Sequence, residues 1–385
     1  MRFGGLARRG TWIKEVREGG KKEALILDTG DLLFKKYSGP VPENEIKMAM
    51  EKAKLIIDSL NLMGYDVLAI GDDDLSLGKE FLLEMSGRAT FPFLSSNVID
   101  ESSGKPLFQM YLIKNMDGLR IGIFSLLGPD TFPNPYDPRR KGLLLRSPTE
   151  TAQAMVKELQ PRTDLIILLS HLGYPKDVEL AQTVPGIHLI VGGHTGVNLP
   201  HPPVLKTTMI VQMAPKGLYG GRLDLAFHSN EPHFFNSSEK RTFENSLNQF
   251  KERVAFSDVT EIEAWLQHNF GLYSRIFHLG RQYHLSLPEE FIQNLRDLIA
   301  SLKAQDAEKP KALRMKIKGE AEQILKQLQG RNEFIHNLIA LGEQIKDHPE
   351  IGRMVEAFRS KYPEPEKPAP PRQEAPRPKS GAPQK

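Results

Sequence analysis

Four short segments of this sequence each end an apolar run in residues able to hold a cation. They are Leu25-Ile26-Leu27-Asp28-Thr29-Gly30-Asp31, Leu68-Ala69-Ile70-Gly71-Asp72-Asp73-Asp74, Ile167-Leu168-Leu169-Ser170-His171 and Leu189-Ile190-Val191-Gly192-Gly193-His194. Two imidazoles with two or more carboxylates suit manganese, zinc, iron or magnesium, and with no cysteine in the chain no thiolate competes with them. The glycines beside Asp31, Asp72 and His194 permit tight turns and close backbone approach. Taken singly, each residue also has a plainer role: an Asp after Gly caps a turn, and a His after a strand is a structural side chain. The run Asp72-Asp73-Asp74 likewise fits a solvated turn, or the cap region of a helix over residues 81–85. Four such ends in one domain point to one centre.

Residues 24–228, which contain these segments, alternate short apolar runs with amphipathic stretches. Residues 24–27, 67–70, 91–95, 120–124, 165–169, 188–191 and 208–211 read as buried strands rich in Ile, Leu and Val. Between them, residues 44–63 and 149–159 read as helices, the second opening with Ser147-Pro148-Thr149-Glu150, a helix start with Pro in its first turn. The alternation predicts a layered α/β domain. In open α/β sheets ligands bind outside the carboxyl ends of the strands, so the four loops are expected to converge.

Beyond residue 240 the texture becomes polar and amphipathic. Residues 242–267, 288–304, 312–330 and 332–358 read as helices, with Ile324, Leu325 and Leu328 at helical spacing, and predict a hairpin or small bundle with coiled-coil character. Residues 362–385 are dominated by Pro, Lys, Glu, Arg and Ala and cannot bury enough apolar surface to order themselves. The expected division is therefore 1–235, an α/β domain; 240–360, a helical region; and 362–385, a disordered tail.

Over 385 residues, 39% hydrophobic and 26% charged composition is that of an ordinary globular protein. A net charge of +3 without basic clusters argues against nucleic acid or an anionic membrane as partner. Disulfides are excluded by the lack of cysteine. No apolar run approaches the roughly 18–20 residues of a membrane helix, and Met1-Arg2-Phe3-Gly4-Gly5 is not a secretory leader. As written, the chain is expected in the cytoplasm; a start further upstream with a leader would place it in the periplasm.

Several motifs carry a resemblance. Gly4-Gly5-Leu6-Ala7-Arg8-Arg9 followed by Leu27-Asp28-Thr29-Gly30-Asp31 resembles the GGLARR…LDxGD stretch of bacterial 5′-nucleotidases and UDP-sugar hydrolases, calcineurin-like metallophosphoesterases. Residues 63–71 are similar to the lead-in to that family's GNHE(F)D block, and Ser95-Ser96-Asn97-Val98 to its "SAN" strand end. Ser170-His171-Leu172-Gly173 and Gly192-Gly193-His194-Thr195 match its last two metal motifs, and residues 212–225 its closing strand pair. The resemblance covers roughly residues 4–228 and implies a four-layer αββα sandwich. It implies two ions that share a bridging Asp and polarise a phosphate ester. Carried over, Asp31 is the bridging ligand, Asp72 falls where the family has Asn, and His171 and His194 complete the same ion's shell. Asn97 is carried over as a substrate-binding residue.

The chain departs from this pattern at three places. Nothing before Gly4 supplies the Asp-x-His pair that binds the family's other ion. Gly196 stands where its closing motif has a second His, and Asp73 where it has the GNHE histidine that stabilises the transition state or protonates the leaving group. A carboxylate at 73 is ordinarily ionised and repels a phosphate dianion; it donates a proton only if burial raises its pKa. One divalent ion, held by Asp31, Asp72, His171 and His194, is expected rather than two. Arg139 and Arg140, after Tyr136-Asp137-Pro138, read as a solvated pair in a loop able to reach a phosphate. His188, His201 and His228 read as structural or exposed, and Trp12 and Phe34 as core.

Two functions follow. One is an impaired phosphate-ester hydrolase, 5′-nucleotidase-like, acting on a nucleotide-like small molecule. The alternative is a non-catalytic ligand-binding or scaffold protein that keeps the fold, with the helical region mediating self-association.

Overall fold

The computed structural model describes residues 4–19, 23–213, 216–229, 231, 233–256, 260–261, 264, 289–306 and 308–363. Strand positions follow from period-two alternation of apolar side chains between two cores. The parallel strands β1 (Leu27–Asp28), β2 (Val67–Ala69) and β3 (Phe93–Leu94) form one small sheet in that order. The short strands β4 (Val98–Asp100) and β7 (Leu143–Leu145) form a separate antiparallel pair. The second sheet has six strands, ordered β10-β11-β9-β8-β6-β5. These are β5 (Tyr111–Met116), β6 (Leu119–Leu127), β8 (Leu165–His171), β9 (Leu189–Gly192), β10 (Val204–Leu205) and β11 (Thr208–Gln212).

In β8, Leu165, Ile167 and Leu169 point into a core shared with Val67 and Ala69 of the first sheet. Ile166 and Leu168, one residue out of phase, pack instead under α4 (Pro148–Leu159) and α5 (Tyr174–Thr183). In β2, Leu68 turns the other way, toward α1 (Leu6–Gly19), α2 (Glu43–Met63) and α3 (Gly78–Arg88). Helices, sheet, sheet, helices: the expected αββα sandwich is the fold. Each buried Leu or Ile contributes roughly 1.5–3 kcal/mol, and three contiguous apolar clusters run through these layers.

The helix boundaries are set by local chemistry. Gly64 at φ +68° ends α2 in the left-handed conformation, a position that glycine takes without strain. Ser147 caps α4, its hydroxyl accepting from the Glu150 N–H at 3.4 Å, with Pro148 in the first turn.

The C-terminal part holds α6 (Ser237–Phe256), α7 (Glu289–Lys303) and α8 (Lys309–Leu328), which share a core that includes Phe243, Leu247, Leu298, Ile317 and Ile324. The helix expected over residues 332–358 is not one helix. Asn332–Ala340 is a strand, β14, running antiparallel to β12 (Tyr219–Ala226) and parallel to β13 (Phe234–Asn236). Apolar residues at 334, 335, 338 and 339 fit a helical face, but the open edge of β12 offers eight register partners from Tyr219↔Ala340 to Ala226↔Glu333, and sheet pairing wins. After it, Pro349 starts α9 (Pro349–Lys361), where the His348 ring accepts from the Ile351 N–H.

Helix α9 returns to the opposite end of the chain. His348 N–H donates to the Ala7 carbonyl at 2.9 Å, Ile351 is fully buried against Gly10 of α1, and Lys361 pairs with Glu51 of α2 at 2.7 Å. Residues 257–259, most of 260–288 and the tail from 364 onward, including most of the expected disordered stretch, lie outside the described residues.

Candidate metal centre

The loop after β1 and the loop after β2 cross at two glycines. Gly30, at φ +94°, lies so close to the second loop that a Cβ on it would fall 2.2 Å from the Gly71 nitrogen. A Cβ on Gly71 would fall 2.2 Å from Asp31 Oδ1 and 2.6 Å from His171 Cε1. Asp31 itself sits at φ +57°, a region Asp tolerates better than most residues. Asp74, buried, ties the crossing together: its carboxylate accepts from the N–H groups of Gly71, Asp31, Leu32 and Leu33 at 2.8–3.0 Å. The third Asp of the run is thus a backbone clamp, neither a solvated turn nor a helix cap.

His171, at the end of β8, is oriented by the other loop, with Nδ1 2.7 Å from the Thr29 carbonyl. A proton on Nδ1 leaves Nε2 as a lone pair aimed at the carboxylates. It lies 3.2 Å from Asp31 Oδ2 and 3.3 Å from Asp72 Oδ1. His194, at φ +68° after β9, places Nδ1 3.4 Å from the same Asp72 Oδ1. Its loop is held by buried Gln212, whose amide donates to the Gly193 carbonyl and the Thr195 hydroxyl, both at 3.2 Å. Behind His171, the fully buried Asp177 accepts from the Ser170 hydroxyl, and burial pushes its carboxyl up to about 7.

One ligand atom from each of Asp31, Asp72, His171 and His194 lies within 4.8 Å of the others. Asp72 Oδ1 and His171 Nε2 are buried and neither has a hydrogen-bond partner of good geometry. Two imidazole nitrogens and two carboxylate oxygens around a common point, with orphaned lone pairs facing it, are a donor set for one divalent ion. The electrostatics agree. Burial works against a charge on His171, yet the Asp31 and Asp72 carboxylates outweigh it and raise its pKa well above the usual imidazole value. Burial also works against ionised Asp72, but His171, His194 and Arg139 hold it far below the ordinary carboxylate range. The pocket demands positive charge.

Arg139 supplies part of that charge. It stands on a 3₁₀ turn, Pro138–Arg140, capped by Asp137. Its Nη1 donates to Asp72 Oδ2 at 2.8 Å and to Asp73 Oδ1 at 2.7 Å. Nε and Nη2 grip the two oxygens of Asp137 at 3.0 and 3.1 Å, and the guanidinium lies over the Phe132 ring. The expectation of a solvated pair is therefore corrected for Arg139: its side chain is only 15% exposed, because three carboxylates surround it. Its neighbour Arg140 stacks on Phe132 from 5.5 Å. Asp73 lies inside the same cluster, and burial, with the charges of Asp31 and Asp72, pushes its carboxyl up to about 6.

Asn97 is tied to the backbone. It is fully buried; its amide donates to the carbonyls of Leu127 and Arg146 at 2.8 and 3.1 Å and its oxygen accepts from the Leu127 N–H at 2.9 Å. With the carboxamide spent on the backbone, it fastens the start of β4 to the end of β6 and has no free N–H for a substrate. Of the other histidines, His188 accepts from the Ile166 N–H at 2.7 Å, a structural role, and His201 and His228 are exposed.

An αββα sandwich with Asp, Asp, His and His grouped at the carboxyl ends of its strands matches the architecture of metallophosphoesterase domains. No family model matches the chain. It is 31% identical over 263 residues to the 5′-nucleotidase of Vibrio cholerae, covering 59% of this chain and 46% of that protein. It is 29% identical over 265 residues to the trifunctional nucleotide phosphoesterase protein YfkN of Bacillus subtilis, covering 57% of this chain and 17% of that one. Among solved structures, the sulfate thiohydrolase SoxB of Thermus thermophilus superposes with a TM-score of 0.50 at 26% identity, over 58% of this chain and 40% of that one. The N-terminal domain of this chain is a metallophosphoesterase domain of the 5′-nucleotidase type. The chain spans less than half the length of these relatives. No helix among the described residues is long and apolar enough to cross a membrane.

Proposed function

We propose that this chain is a one-ion phosphate-ester hydrolase of slow turnover, acting on nucleotide-like monoesters. The observation that supports it is the pair of buried atoms without a well-formed hydrogen bond, Asp72 Oδ1 and His171 Nε2, grouped with Asp31 and His194 at a spacing that suits one cation. When bound, a divalent ion there supplies Lewis-acid polarisation of a phosphoryl oxygen and lowers the pKa of an attacking water. Asp31 and Asp72 hold the ion, His171 and His194 complete its shell, and the Thr29 carbonyl keeps His171 in the tautomer that ligates. Asp73, raised to about 6 in the metal-free centre by burial and by the charges of Asp31 and Asp72, is the candidate to give a proton to a leaving oxygen.

Slow turnover follows from charge. Asp31, Asp72, Asp73 and Asp137 against Arg139 leave three negative charges, and one divalent ion reduces them to one. A phosphate dianion therefore meets a neutral or negative pocket, depending on the proton of Asp73. A non-catalytic scaffold is the second reading, favoured by Arg139, which already occupies two of the carboxylates as a cation would. As further parts of this proposal, residues 1–235 act as the ligand-binding unit, and the helices after residue 240 mediate self-association.

Two measurements separate the readings. Purified protein is analysed for manganese, zinc, iron and magnesium, then assayed with nucleoside monophosphates and a phosphodiester. Metal-dependent hydrolysis abolished in His171→Ala and in His194→Ala supports the enzyme. A folded protein that takes up metal yet turns over neither substrate makes it a scaffold.

A further inference from the structure

We infer that Arg139 is a built-in counter-cation of the metal centre, competing electrostatically with the divalent ion for the Asp72 carboxylate and limiting how tightly the ion is held. The inference rests on the one-ion reading of the centre and concerns a residue that supplies no metal ligand.

The geometry divides Asp72 between two cations. Oδ1 faces His171 and His194, at 3.3 and 3.4 Å, while Oδ2 receives Arg139 Nη1 at 2.8 Å. Both can be served at once, so Arg139 does not block the ion. It does place a permanent positive charge one carboxylate away from it, inside a pocket where Asp72 is only 2% exposed and solvent screening is weak. The charge is not free to swing aside. Asp137 holds the guanidinium through two hydrogen bonds, Phe132 packs under it, and Pro138 and the 3₁₀ turn fix the backbone that carries it. An arginine kept only for surface solubility would not be clamped on three sides and aimed at a buried carboxylate oxygen. In the metal-free protein the same clamp has a second effect. It offsets the repulsion among Asp31, Asp72 and Asp73, so the centre is folded before any ion arrives.

The test is a binding cycle on the full chain, read by calorimetry with Mn²⁺ and by thermal denaturation with and without the metal. Arg139→Met is expected to bind Mn²⁺ about tenfold tighter or better than wild type, and to melt lower when metal-free, so that the metal-induced rise in Tm is larger. Asp72→Asn, which leaves the guanidinium facing the ion without the carboxylate between them, is expected to bind about tenfold weaker. The double variant D72N/R139M is expected to recover most of that loss. It carries fewer uncompensated carboxylates than R139M alone and serves as the test even if R139M does not fold. Equal affinity in wild type and R139M, or no recovery in the double variant, overturns the role of Arg139 while leaving the metal centre standing. If neither wild type nor R139M binds metal, the one-ion reading fails and the inference falls with it. Binding in R139M alone upholds the inference and shows that in the wild type the charge of the guanidinium weakens the ion's hold below detection.

Discussion

Replacing Gly71 by alanine tests the crossing of the two ligand loops without touching any ligand. The added Cβ would lie 2.2 Å from Asp31 Oδ1, 2.6 Å from His171 Cε1 and 2.7 Å from the Asp31 nitrogen. Carbon does not approach non-bonded atoms within about 3 Å, so the loops must part by close to 1 Å. Overpacking of this kind costs about 1–3 kcal/mol. At about 2–4 °C per kcal/mol for a domain of this size, the metal-free Tm falls by roughly 2–12 °C. The larger effect is on metal. A ligand set must be held to within about 0.5 Å to bind productively, and the displaced pair, Asp31 and His171, is half of the set. Mn²⁺ titration by calorimetry is expected to show G71A binding at least about a hundredfold weaker than wild type. Gly87, in α3 with nothing within 4 Å of its Cβ position, is the control: G87A adds the same methyl group, leaves metal affinity near wild type and does not lower Tm, since Ala is about 0.5–1 kcal/mol better than Gly in a helix. G71A that folds and binds Mn²⁺ like wild type would show that Asp31 and His171 are not both ligands.

Three further outcomes follow from particular contacts. Burial, with a smaller effect from His233, pushes His188 down to about 4 from 6.5, and the unprotonated Nδ1 accepts from the Ile166 N–H. The associated stability is full above pH 6.5 and is lost as pH falls to about 4, by up to about 3 kcal/mol; urea midpoints between pH 7.5 and 4 should show this, and H188Q should flatten the slope. Asn97→Ala strands the Leu127 N–H and should cost about 1–3 kcal/mol in chemical denaturation while leaving Mn²⁺ affinity within about twofold; a selective loss of metal or substrate binding instead would return Asn97 to the site. Phe334→Ala, at a position 1% exposed on β14, should cost about 3–5 kcal/mol, and a cost below about 1 kcal/mol would mean that the strand does not pack where it pairs.

The candidate ligands are legible because each stands at or just after a strand end, where the side-chain alternation that builds the core stops and a loop begins. Leu165, Ile167 and Leu169 alternate with Ile166 and Leu168 between two cores, and that pattern is written in the residues themselves. Asp31, Asp72, His171 and His194 then follow from where the strands finish. Asp74 was visible as part of an acidic run, but not its role, because a carboxylate that accepts four backbone N–H groups from two loops is defined only by their crossing. Asn97 is ambiguous in the sequence for a related reason: a strand-end amide serves a substrate or the backbone equally well, and the Leu127 backbone that it binds is brought to it only by the fold.

Arg139 and β14 were illegible for a different physical reason, since each is determined by a partner far away in the chain. Arg139 meets Asp72 across 67 residues, and a long cationic side chain in a Pro-rich loop reads as solvated unless carboxylates wait for it. The cue that survives in the sequence is local: Asp137-Pro138 caps a turn and gives the guanidinium its bidentate partner two residues back. For β14 even a local cue is missing. Its apolar residues sit at a spacing that satisfies a helix, and intrinsic preference between the two states is worth less than the row of hydrogen bonds that β12 leaves open. The same pairing brings α9 back over α1 and α2, so residues far apart in sequence share one core, Ile351 with Ala7 and Ile13. A substitution in α9 should therefore act on the N-terminal layer that carries the GGLARR-like helix, and one at Phe334 of β14 on the core between the two sheets.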